Sequence, residues 1–113
     1  MDIEVQQLGE NLSCVRLSGR MDSAGVDKGD LRFSATVVSP GRNAIVDLSG
    51  VEFLASMGIR LLITSARALK LKGAQMVLFG PNEMVGTVLD HVAIDQIIPV
   101  VASQDQAIAQ LAA

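Results

Sequence analysis

"AIVDLSGVEFLASMGIRLLITSARALKLKGAQMVLF", residues 44–79, changes its apolar period twice. Ala44 to Leu48 is a compact apolar run bounded by turn residues, the pattern of a buried central strand. The pair Ser49–Gly50 is expected to turn the chain. Met57 to Leu71 then repeats its apolar residues at helical spacing. Lys70 and Lys72 suit the carboxyl end of that helix, and Gly73 suits its stop. Gln75 to Phe79 reads as the next strand. Strand, helix and strand in this order predict a parallel crossover, and with it an α/β fold.

Working outward, Ile3–Gln7 and Leu12–Leu17 are short β-prone runs joined by a turn-like "LGEN", an expected antiparallel opening pair. Asp22 or Ser23 can cap a helix that follows. Ala24, Leu31, Ala35 and Val38 fall at helical spacing, but Gly25 and Gly29 interrupt them, each at a cost of about 1 kcal/mol relative to alanine. The helix is therefore expected over the second half of 23–38. Beyond residue 79, "GPN" opens a helix over about Glu83–Leu89. Ile97–Val101 reads as an edge strand, because Pro99 cannot donate to a ladder. Ser103 and Gln106 form a capping box for a last helix, Ser103–Leu111. The predicted order is β-β-α-β-α-β-α-β-α: one domain over 1–113, a small mixed sheet flanked by about four helices.

Of the 113 residues, 50% are apolar and 19% charged, a globular composition. The formal net charge of −3, with three Phe and no Trp or Tyr, argues against direct nucleic acid binding. Early acids at the N-terminus do not resemble a signal peptide, and no apolar run approaches the roughly 20 residues of a membrane helix. A single cysteine, Cys14, fits a reducing compartment. No membrane insertion and a cytoplasmic location are the expectation.

Candidate chemistry is sparse. One histidine, His91, and one cysteine argue against a zinc site, and Asp22, Asp27 and Asp30 lack calcium-loop spacing. There is no G-x-S-x-G elbow and no glycine-rich phosphate loop. Gly25 and Gly29 make a G-x-x-x-G that does not read as a membrane-helix face. No catalytic residue, metal or cofactor is assigned, and the chain is not expected to be an enzyme.

Ser56 is the residue to explain. It precedes the clearest helix and can accept from its first-turn amides, worth about 1 kcal/mol. A phosphate there would add about −1.5 to −2 charge, which a helix N-terminus tolerates and a docked partner does not. On a helical wheel Ile59, Leu62, Ile63, Ala66 and Leu69 face the sheet, and Arg60, Thr64 and Arg67 face solvent. Met57, Leu61 and Ala68 also fall outward, a strip that either docks a partner or is covered by the neighbouring helix. Gly58 is expected to leave the backbone beside the hydroxyl uncovered.

The pieces D-L-S-x-V-x-F at 47–53, Ser56-x-Gly58, K-x-x-G-A at 70–74 and "LSGRMD" at 17–22 resemble the STAS domains of bacterial anti-sigma factor antagonists, over nearly the whole chain. That resemblance implies a non-catalytic binding module regulating transcription. Its unphosphorylated form would bind an anti-sigma factor of the serine-kinase type and free a sigma factor, and a phosphatase would reset it. By position the phosphoacceptor is Ser56, and Asp22, Ser23, Met57, Gly58, Arg60 and Leu61 would form the partner-binding face. Many phosphorylated members carry Asp-Ser where this chain has Ala55–Ser56. That difference supports the runner-up, an unswitched STAS subunit of a larger signalling or lipid-transport assembly.

Overall fold

The computed structural model describes residues 1–112. β1 (Asp2–Gly9) and β2 (Leu12–Met21) form the expected antiparallel pair. α1 (Ser23–Phe33), continued by one π-helical stretch at Ser34–Val38, leads to β3 (Asn43–Leu54). α2 (Ser56–Leu71), β4 (Met76–Phe79), α3 (Glu83–His91), a 3-10 turn at Ile94–Gln96, β5 (Val100–Val101) and α4 (Gln104–Ala112) complete the chain. The strands make one five-stranded sheet in sequence order β1-β2-β3-β4-β5. From β2 onward every pairing is parallel.

Alternation along the central strands fixes the layers. Val46, Leu48, Met76 and Leu78 pack with Val26 and Phe33 of α1, Leu61, Leu62 and Leu69 of α2, and Val85 and Leu89 of α3. Ile45, Val77 and Phe79 point to the other face and meet Ala107 of α4. β3 and β4 are thus buried on both faces, which is why they read as unbroken apolar runs. β5 is a short edge strand, and Pro99 contributes only its carbonyl, accepting from the Leu78 amide at 2.9 Å. The last helix is capped as half of the expected box. Ser103 Oγ accepts from the Gln106 amide at 3.2 Å, while Gln106 Oε1 accepts from the Ala102 amide at 2.9 Å.

Two expectations are corrected. Ser49–Gly50 does not end the strand: β3 continues to Leu54, and β2 runs on beside it to Met21. The turn residues sit at a shift in register, where a Cβ on Gly50 would lie 2.8 Å from Ser18 Cβ and 3.1 Å from the Leu17 oxygen. Glycine serves close strand approach here, not a turn. The second correction concerns α1, which is helical from Ser23 and buries Gly25, Val26, Gly29, Phe33 and, beyond it, Val37. Leu31, expected on the apolar stripe, is 82% exposed. A Cβ on Gly25 would run into the Arg20 carbonyl oxygen. Both glycines are therefore on the packing face.

Candidate functional site

The parallel pairing of β2 and β3 brings Met21 opposite Leu54, so the two strands end side by side. Each feeds a helix at once: Asp22 precedes α1, and Ala55 precedes α2. The Ala55 amide donates to the Met21 carbonyl at 3.0 Å and ties the two junctions together. Two helix amino ends therefore share the carboxyl edge of the sheet, where ligands and partners meet many open α/β folds.

The first junction is capped by a side chain. Asp22 Oδ1 accepts from the Gly25 amide at 2.9 Å, and its Oδ2 accepts from Arg20 Nε at 3.1 Å. The Gly25 hydrogen bond, and after it the Arg20 guanidinium, hold the Asp22 carboxyl below the usual aspartate range. Arg20 in turn lies over the Phe53 ring, 4.4 Å from its centroid. This cation–π contact links the end of β2 to the end of β3.

The second junction is different, and it corrects the capping reading of Ser56. The extended residue before α2 is Ala55, with φ −112° and ψ 178°, and no side chain caps the helix. Ser56 is the first helical residue, and it is exposed. A capping side chain must leave from the extended residue, one position earlier, where alanine offers no acceptor. The hydroxyl of Ser56 is left at an uncapped amino end.

The other expected site residues divide by burial. Ser23 and Arg60 are exposed, and Met57 and Asp22 are half-buried. Gly58 and Leu61 are inside. A Cβ on Gly58 would lie 2.8 Å from both Met21 Cβ and the Met21 oxygen, and 2.7 Å from Leu54 Cδ1. Gly58 thus seats the first turn of α2 on the strand ends and does not uncover backbone for a partner. Leu61, only 9% exposed, belongs to the main core, so the outward strip of Met57, Leu61 and Ala68 does not form. The buried face of α2 is Gly58, Leu61, Leu62, Ser65, Ala66 and Leu69, while Ile59 and Ile63 are half-buried on its flank. Contact with α1 turns this face away from the single-sided wheel expected from sequence.

Asn82 is a residue that sequence reasoning passed over. It caps α3 through Oδ1, accepting from the Val85 amide at 2.8 Å, and its Nδ2 donates to the Val51 carbonyl at 3.1 Å. The "GPN" turn was its only local signal. No group of three potential metal ligands occurs among the described residues, and no helix among them is long and apolar enough to cross a membrane. The only histidine, His91, is exposed at the far end of α3.

The family model for the STAS domain matches residues 2–107. The chain belongs to the STAS domain family. Among solved structures, this STAS domain is similar to an anti-sigma factor antagonist from Mycobacterium paratuberculosis, at 25% identity and a TM-score of 0.81, with 99% of this chain and 94% of that chain covered. It is also similar to an anti-sigma-factor antagonist (STAS) domain protein from Planctomyces limnophilus, at 23% identity, TM-score 0.82 and full coverage of both chains. The murine anion transporter Slc26a9 contains the same fold, at 21% identity and TM-score 0.79, over 94% of this chain and 18% of that one. No curated protein sequence matches the chain.

Proposed function

We propose that this STAS domain is an anti-sigma factor antagonist, a non-catalytic binding module switched at Ser56. The observation that carries the reading is the exposed, uncapped hydroxyl of Ser56 at the amino end of α2, beside the Asp22 junction. A serine kinase on the partner transfers the γ-phosphoryl group of ATP to Ser56 Oγ, releasing ADP and a proton. The helix amino end tolerates the new dianion. A partner seated over Ser23, Met57 and Arg60 does not, because it would have to desolvate that charge. Gly58 and Leu61 contribute by fixing the position of α2, and a phosphatase restores the binding form. The similarity to solved structures described as anti-sigma factor antagonists supports this role, and the cytoplasm is its setting.

The test is binding to a serine-kinase-type anti-sigma factor from the source organism. Ser56→Ala is expected to bind as wild type does, and Ser56→Asp to lose binding. Equal affinity of Ser56→Asp and wild type would remove the switch. The second reading, an unswitched STAS subunit, is favoured by Ala55, which replaces a polar neighbour of the acceptor with a methyl group. It predicts a Ser56 that is never modified.

A further inference from the structure

Arg60 stands one turn beyond Ser56, and both are exposed on α2. Residues at i and i+4 share a helix face, and side chains lean toward the amino end. A guanidinium at position 60 is therefore within reach of the turn that carries Ser56. An anion placed four residues before a cation is the favoured orientation of such a pair. The position where that anion belongs holds a serine, and the first turn of α2 contains no acid. The one ion pair among the described residues is Arg20–Asp22, so Arg60 has no carboxylate partner there. Arg20, another cation at this end, is already bonded to Asp22 and stacked over Phe53.

We propose that Arg60 is the built-in counter-ion of Ser56 once it is phosphorylated, folding back to hold the phosphoryl oxygens through its guanidinium fork. The inference rests on the reading of Ser56 as a phosphoacceptor. Arginine matches phosphate with two parallel N–H donors, which a lysine or a distant charge does not reproduce. The consequence for regulation is twofold. Phosphorylation adds negative charge to the partner face, and it also withdraws the Arg60 cation that an acidic partner group could meet. A carboxylate at position 56 supplies one charge and two oxygens, so Ser56→Asp imitates the first effect better than the second. Opposing the pair are the carboxylates at the same end of the sheet: Asp22 at the start of α1, Glu52 near the end of β3 and Glu83 in the first turn of α3.

The experiment installs phosphoserine at position 56 by genetic encoding in the full chain, which makes it independent of whether any kinase modifies the protein in cells. The second ionisation of the phosphate, ordinarily near about pH 6, is followed by phosphorus NMR. The folded wild type is expected to titrate roughly half a pH below the same chain unfolded in urea. Arg60→Gln should bring the midpoint back toward the unfolded value, and Arg60→Lys should fall between the two. Arg20→Gln should move it less than Arg60→Gln. Equal midpoints for wild type and Arg60→Gln overturn the proposal, as does a larger effect of Arg20→Gln. Either of these results leaves the switch at Ser56 standing, and an unmodified Ser56 in cells leaves this titration unaffected. Circular dichroism of each variant checks that α2 remains folded.

Discussion

Gly58→Ala sets two effects of opposite sign against each other in the first turns of α2. Helix propensity alone favours alanine by about 1 kcal/mol. Against it, the new Cβ would stand 2.8 Å from the Met21 carbonyl oxygen, 2.8 Å from Met21 Cβ and 2.7 Å from Leu54 Cδ1. Leu54 Cδ1 ends a side chain and can move. The Met21 oxygen cannot, because it accepts the Ala55 amide at 3.0 Å and anchors the two junctions. Overpacking of this kind costs about 1–3 kcal/mol, and a backbone obstacle places it at the upper end. The net expectation is a loss of about 2 kcal/mol, or a fall in Tm of roughly 8 °C for a chain of this size. Urea unfolding followed by far-ultraviolet circular dichroism measures it, since the chain has no Trp or Tyr. Gly86→Ala in α3 is the control, because a Cβ there meets nothing within 4 Å. It should stabilise by up to about 1 kcal/mol. A Gly58→Ala protein as stable as wild type would refute the close seating of α2 on the strand ends.

Asp22 carries a pH dependence of definite sign. Its folded pKa lies below the ordinary value, so its contribution is complete above the usual aspartate range and fades as pH falls through the lowered pKa. Asp22→Asn should flatten the acid limb of a Tm-against-pH series, and an unchanged limb would contradict the capping geometry. Asn82→Ala removes the cap of α3 and the bond to Val51, and should cost about 1–2 kcal/mol in chemical denaturation. A loss well under 0.5 kcal/mol would mean that water replaces both bonds. Leu31→Glu, at a site 82% exposed, should leave stability within about 0.5 kcal/mol.

The order of elements was legible because period and turn residues are local signals. Ala44–Leu48 and Met57–Leu71 declared themselves through apolar spacing, and Pro99 marked the edge strand. What was illegible depends on neighbours distant in sequence. Gly50 looks like a turn residue until β2 lies against it, and Gly25 looks like a helix breaker until the Arg20 carbonyl occupies the place of its side chain. Leu61 falls on the outward half of a wheel drawn against one sheet, yet α1 gives α2 a second wall and the leucine is buried. For Ser56 a single residue of helix phase decided between cap and free hydroxyl. Sequence alone places that boundary no better than this.

The central claim is that Ser56 is a phosphorylated switch. Intact-mass analysis of the protein purified from its own cells, with and without phosphatase, tests it most directly. The account predicts an added mass of about 80 Da, as one phosphoryl group brings, removed by phosphatase and mapped to Ser56 by fragmentation. A chain of unmodified mass across growth conditions, or a phosphate mapped to another residue, would contradict it.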